Sequence, residues 1–91
     1  MTGSVVDNAQ LGRFELTEQG LTAFADYMLR DGKLVVPHVE APVALRGTGT
    51  AGRLMQGMLD IIRERGLKIV PLCPYAAVWI RRHPEYGDLV A

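Results

Sequence analysis

Between Leu21 and Leu29 every second residue is apolar (Leu21, Ala23, Ala25, Tyr27, Leu29), and the run ends at Asp31-Gly32. A period of two belongs to an extended chain and lays one continuous face against a core. Asp-Gly favours the positive φ angles of a type I′ turn, so Lys33 to Glu40 should return antiparallel as the next strand. Upstream, Arg13 to Leu16 alternates polar and apolar residues and is followed by the turn residues Glu-Gln-Gly, which predicts a hairpin there too. The first half thus reads as a β-meander, with the first eight residues trailing loosely ahead of it.

The second half changes period. Ala51, Leu54, Met55, Met58, Leu59 and Ile62 fall at i, i+3, i+4, i+7, i+8 and i+11, an amphipathic helix closed by Gly66 as its αL cap. Leu67 to Leu72 is a short apolar run bounded by Gly66 and Pro74, predicted as a buried strand parallel or nearly so to the one before the helix. A second helix follows, with Pro74 at its first position, Cys73 as N-cap, Arg81, Arg82 and His83 at its negative end, and Pro84 blocking continuation. Inside the strand ahead of the first helix, Pro37 cannot donate to a ladder. It belongs at an edge, at a bulge, or where the strand parts from a neighbour. The expected class is α+β, a mixed sheet in a single domain over residues 1–91, since a chain of this length with 48% hydrophobic residues can bury one modest core.

Composition narrows the function. No apolar run approaches the ~18 residues of a membrane span, and the first ten residues lack the basic and apolar regions of a signal peptide, so a cytoplasmic location is expected. Cys73 is the only cysteine, which excludes an internal disulfide, and His38, His83 and the carboxylates show no metal-ligand spacing. A net charge of zero argues against general nucleic-acid binding. The charge is unevenly spread, however. Three basic and six acidic residues lie up to Leu45 and seven basic and four acidic beyond it, a pattern suited either to a compact polyanion held by the second half or merely to helices with surface arginines.

Gly47, Gly49 and Gly52 stand at the G-x-G-x-x-G spacing of a dinucleotide turn. That reading fails, because Ala41 to Arg46 separate the preceding strand from the first glycine and no acid lies between Glu64 and Glu85 to bind a ribose. A nucleotide-triphosphate loop fails as well, since Arg53-Leu54 stand where lysine and a hydroxyl are needed. What remains is a glycine-rich helix start, whose backbone N–H groups and positive dipole end suit a phosphate or pyrophosphate, or which only shapes a loop.

Arg46, Gly49 and Ala51 match the Q/R-x-x-G-x-G/A signature that opens a helix in the GNAT superfamily of acetyl-CoA-dependent N-acetyltransferases. With "HVEAPVALRGTGTAGRL", "GLKIVPLCPYAAVWIRRHPEY" and the early "VVDN...RFEL", the chain from about Val6 to Tyr86 resembles a short, single-domain GNAT-like family that lacks the usual N-terminal helices. The resemblance implies that acetyl-CoA wedges between the strand ending near Glu40 and the strand Leu67 to Leu72, where the two splay apart. It implies that the turn from Leu45 and Arg46 through Gly47, Thr48, Gly49, Thr50 and Ala51 holds the pyrophosphate, and that backbone near Val39 pairs with the pantetheine arm. Cys73 and Tyr75 would complete the cofactor wall, and Arg81 and Arg82 would reach its phosphates or only cap their helix.

Acetyl transfer to an amine needs a base for the amine's proton and a donor for the departing thiolate. His38, beside the expected splay, is the first candidate base, and Glu40, on the same face, the second. Cys73, at a helix N-terminus, is a candidate nucleophile, proton donor or wall residue. Tyr86 is a candidate acid, or else part of a packing motif that pins the C-terminus. The implied partners are acetyl-CoA or CoA and an amine acceptor, acting on a monomer or weak homodimer. A non-catalytic acyl-CoA-binding module is the alternative.

Overall fold

Gln19-Gly20 and Asp31-Gly32 each place two successive residues at positive φ (53° and 74°, 53° and 75°), and each closes a two-residue hairpin. The strands they join are β2 (Arg13–Glu18), β3 (Leu21–Arg30) and β4 (Lys33–Glu40). The computed structural model describes residues 4–91. Ahead of the meander, β1 (Val6–Asn8) pairs antiparallel with β2 through Val6↔Glu15, Asp7↔Phe14 and Asn8↔Arg13. The expectation of a loose start is therefore corrected for these three residues; residues 1–3 lie outside the described range. Hydrogen bonds from Leu11 and Gly12 back to Asn8 and Ala9 build the turn into β2, and Tyr27 fastens the new strand by donating to Asp7 at 2.6 Å.

After β4 and a 3₁₀ turn at Val43–Leu45 come α1 (Thr50–Glu64), β5 (Lys68–Pro71), α2 (Pro74–Arg81) and a 3₁₀ segment at Pro84–Leu89. Gly66 (φ 69°) supplies the left-handed stop after α1. The sheet runs in order β1-β2-β3-β4-β5, antiparallel except for the parallel pair β4–β5. A mixed sheet followed by helix, strand and helix is the expected fold class.

Both helices cover one face of the sheet. Leu54, Met55, Met58, Leu59 and Ile62 of α1 are fully buried against Phe14, Leu16, Ala23, Ala25, Leu34, Val36 and Ile69, each large side chain contributing about 2 kcal/mol of burial. The apolar face of β3 is shorter than its alternation suggests: Ala23 and Ala25 are buried, but Leu21 and Leu29, toward the strand ends, are exposed.

Candidate active site

β5 pairs with β4 only from Lys33↔Lys68 to Val36↔Pro71. The carbonyl of Val36 then accepts from the N–H groups of both Leu72 and Cys73, each at 3.0 Å, and there the strands part. β4 continues to Glu40 with β3 as its remaining partner. Pro37 is the first residue past the parting, where a strand leaving its neighbour has no ladder bond to lose. It also belongs to a bulge. Between the pairs Met28↔Val35 and Asp26↔His38, Tyr27 alone opposes Val36 and Pro37.

The extra residue reverses the facing of β4. Leu34 and Val36 point to the core before it, whereas Val39, opposite the buried Ala25, points there after it. His38 and Glu40 consequently emerge on the face without helices. They do share a face, as their spacing implies, and they touch: His38 Nε2 and Glu40 Oε1 are 3.1 Å apart. Both side chains are more than half exposed, and the Phe24 ring lies 6.1 Å from the imidazole.

On the helix side the glycine turn is built for open backbone donors. Gly47 and Gly49 hold φ at 82° and 85°, a region other residues adopt at a cost, and Gly49 is the N-cap of α1 with no side-chain cap. The N–H groups of Leu45, Arg46 and Thr48 are spent on Pro42, Val43 and Leu45. Among the described residues, nothing accepts from the N–H groups of Gly47, Gly49, Thr50, Ala51 and Gly52, and all five residues line one cleft. Thr48 therefore contributes shape rather than a donor. Its hydroxyl donates to Leu45 O at 2.5 Å and lies 2.8 Å from Thr50 Oγ1.

Sequence reasoning missed what braces this turn. Thr50, 1% exposed, donates to Glu18 Oε1 at 2.5 Å. Arg53 grips the same carboxylate through Nε and Nη2 and also donates to Thr48 O at 2.9 Å. Arg53 and Thr50, in that order, hold the Glu18 carboxyl down at about 2. No local pattern announces a partner 35 residues away. The one available signal is that Arg53, in the first turn of a helix, opposes the dipole and needs an anion.

The cleft has two lobes that share Ala41, Arg46, Ala51 and Tyr75. One, of about 360 Å³, contains the glycine turn. The other, of about 370 Å³, adds His38, Val39 and Glu40. The space thus passes the free edge of β4 from the helix side to the bare face. Arg46 is the cation in its lining, and Tyr75, whose hydroxyl is pushed above the usual tyrosine range by burial and then by Cys73, stands at the junction.

The other expected site residues lie elsewhere. Cys73 is the N-cap of α2, but at 6% exposure it packs into the core and is not part of the cleft lining. Leu45 borders the cleft although the residue is almost wholly buried. Tyr86 does not reach the cleft. Its hydroxyl donates to Asp60 Oδ1 at 2.9 Å, and its ring packs on Trp79 and beneath Arg63, which is the packing role. Arg81 and Arg82 close α2 at the end opposite Tyr75; Arg81 lines a separate cavity.

No helix among the described residues is long and apolar enough to cross a membrane. A family model described as GCN5-related N-acetyl-transferase matches residues 13–89. Among solved structures, that of a GCN5-like protein from Staphylococcus aureus, itself a candidate N-acetyltransferase determined by NMR in solution, is similar with a TM-score of 0.68. The two are 19% identical, over 97% of this chain and 87% of that one, a likeness of fold. No curated protein matches the chain in sequence.

Proposed function

The chain belongs to the GCN5-related N-acetyl-transferase family, and on that premise we propose that it acetylates an amine with acetyl-CoA. The observation that carries the reading is the set of five unspent N–H groups, on Gly47, Gly49, Thr50, Ala51 and Gly52, lining a cleft that opens where β4 and β5 separate. Backbone donors at a helix N-terminus suit a pyrophosphate, and Arg46 adds a charge beside them. The β5-side edge of β4 past Val36 offers polar backbone near Val39 for the pantetheine amides.

Acetyl-CoA supplies an acetyl thioester, whose C–S bond breaks as the amide C–N bond forms. The chain's own task is to manage protons. His38 would take the amine's proton, with Glu40 beside it to stabilise the imidazolium that results. Tyr75 is the phenol in the cleft lining, the Thr50 hydroxyl there being spent on Glu18, and it takes over the acid role considered for Tyr86. Direct attack by the amine fits the buried Cys73 better than an acetyl-cysteine does, because a nucleophile needs access.

A non-catalytic acyl-CoA-binding module is the second reading, favoured by the exposure of His38 and Glu40 on the sheet face that carries no helix among the described residues. Titration with acetyl-CoA and CoA, followed by thiol release across a panel of amines, separates the two. Thiol release with at least one amine supports the transferase; binding without release on any amine supports the module. Failure to bind either thioester or thiol removes both.

A further inference from the structure

α2 separates the cleft from a second cavity of about 510 Å³ that shares none of its lining residues. Its walls come from several parts of the chain: Pro71 of β5, Ala77 and Ile80 of α2, Pro84 of the 3₁₀ segment, and Val90. Two of these residues are prolines with fixed φ, and Val90 is pinned by its bridge to Ile69 and by the bond from Ala91 N–H to Ile69 O at 2.9 Å. These backbone restraints hold three of its walls, and the cavity opens broadly to solvent. Val90 is 40% exposed, an apolar wall facing solvent.

One charged residue, Arg81, stands in this apolar lining. Among the described residues its guanidinium has neither a carboxylate partner nor a hydrogen bond, as is also true of Arg46 and Arg82, whereas Arg13, Arg53, Arg63 and Arg65 are all paired. It is not needed to cap α2. The last carbonyls already accept from Arg82 N–H (Val78 and Trp79) and from His83 N–H (Ile80), and His83 Nδ1 lies 2.7 Å from Trp79 O. The nearby acid Asp88 is gripped by Arg63. A pocket of this size with apolar walls and a single unspent cation selects a ligand with an apolar body and one anionic end.

We infer that this cavity binds an aliphatic carboxylate, with the chain against Pro71, Ala77, Ile80 and Val90 and the carboxylate on Arg81. The inference stands independently of the acetyl-transfer reading.

The test uses the whole protein and a set of probes that separates charge from apolar length: butanoate, hexanoate, octanoate, octanol and octylamine, followed by NMR shift titration and calorimetry. Octanoate is expected to saturate, to shift the amides of Ala77, Ile80 and Val90, and to bind more tightly than hexanoate by about threefold to fourfold per methylene. Arg81→Gln, at an exposed position, should weaken octanoate about tenfold and leave octanol unchanged. Ala77→Phe, which fills the cavity, should abolish binding. Non-saturating shifts, octanol or octylamine binding as well as octanoate, or an Arg81→Gln protein with wild-type affinity would each overturn the assignment.

Discussion

Glu18 on β2 and Arg53 on α1 are joined by two hydrogen bonds of 2.8 and 2.7 Å, and the same carboxylate accepts from Thr50 in the glycine turn. The strand thus fixes the attitude of the turn's free N–H groups. Glu18→Gln keeps the shape but removes the charge, and is expected to lower the thermal midpoint at neutral pH and weaken acetyl-CoA binding several-fold. The Glu18 carboxyl is lowered from 4.5 to about 2 in the folded protein, first by Arg53 and then by Thr50. A depressed carboxyl stabilises the fold above its unfolded value, and that contribution is lost as pH falls through the folded one. The gap between wild-type and Glu18→Gln melting temperatures should therefore be full above pH 4.5 and shrink toward pH 2. An unchanged gap at low pH would mean that the pair contributes nothing through its charge.

The two positive-φ glycines of the turn should respond differently to alanine. At Gly47 a Cβ meets nothing within 4 Å, so Gly47→Ala costs only the left-handed backbone, about 1 kcal/mol. At Gly49 the same Cβ would lie 2.9 Å from Arg53 Nη1, so Gly49→Ala adds displacement of the arginine that grips Glu18. Denaturant midpoints should fall further for Gly49→Ala, and acetyl-CoA affinity with them. Equal losses at the two positions would argue that the clamp on Glu18 does not matter.

Local signals made most of the fold legible. The two positive-φ dipeptides, the helical spacing from Ala51 to Ile62 and the sequence Cys73-Pro74 each act within a few residues, and each element formed where its signal lies. What escaped depends on long-range pairing. β1 has only three residues and no pattern of its own, and exists because β2 offers an edge. The facing of His38 turns on a bulge that counting along β4 cannot locate, although Pro37 marks its neighbourhood. The Glu18–Arg53 pair, which braces the candidate pyrophosphate turn, spans β2 to α1 and has no signature in either segment.

Tyr86 illustrates a residue whose chemistry was legible and whose direction was not. Its hydroxyl is pushed up to about 12, first by burial and then by Asp60, and it lies outside the cleft. Tyr86→Phe should cost about 1 kcal/mol and leave acetyl transfer unchanged. The neutral hydroxyl stabilises the fold fully below the unfolded tyrosine value of 10 and loses that effect as pH rises toward about 12. The stability difference between wild type and Tyr86→Phe should accordingly narrow in alkaline denaturation series. A loss of turnover at constant stability would return Tyr86 to the chemistry.

His38 and Cys73 make opposite predictions. His38, exposed beside the cleft and hydrogen-bonded to Glu40, touches neither the glycine turn nor the core. His38→Ala should leave acetyl-CoA affinity intact and lower turnover about 100-fold. Cys73 is buried in the core with its N–H on Val36, and Cys73→Ala removes one small apolar group, so direct attack predicts a modest stability loss and turnover within a few-fold of wild type. Intact mass after exposure to acetyl-CoA without an amine supplies the independent measurement. An added acetyl group on wild type that Cys73→Ala lacks, together with lost turnover in that variant, would replace direct attack with a two-step transfer through the thiol. An unmodified mass with turnover retained would support direct attack, with His38, or Glu40 beside it, receiving the amine's proton.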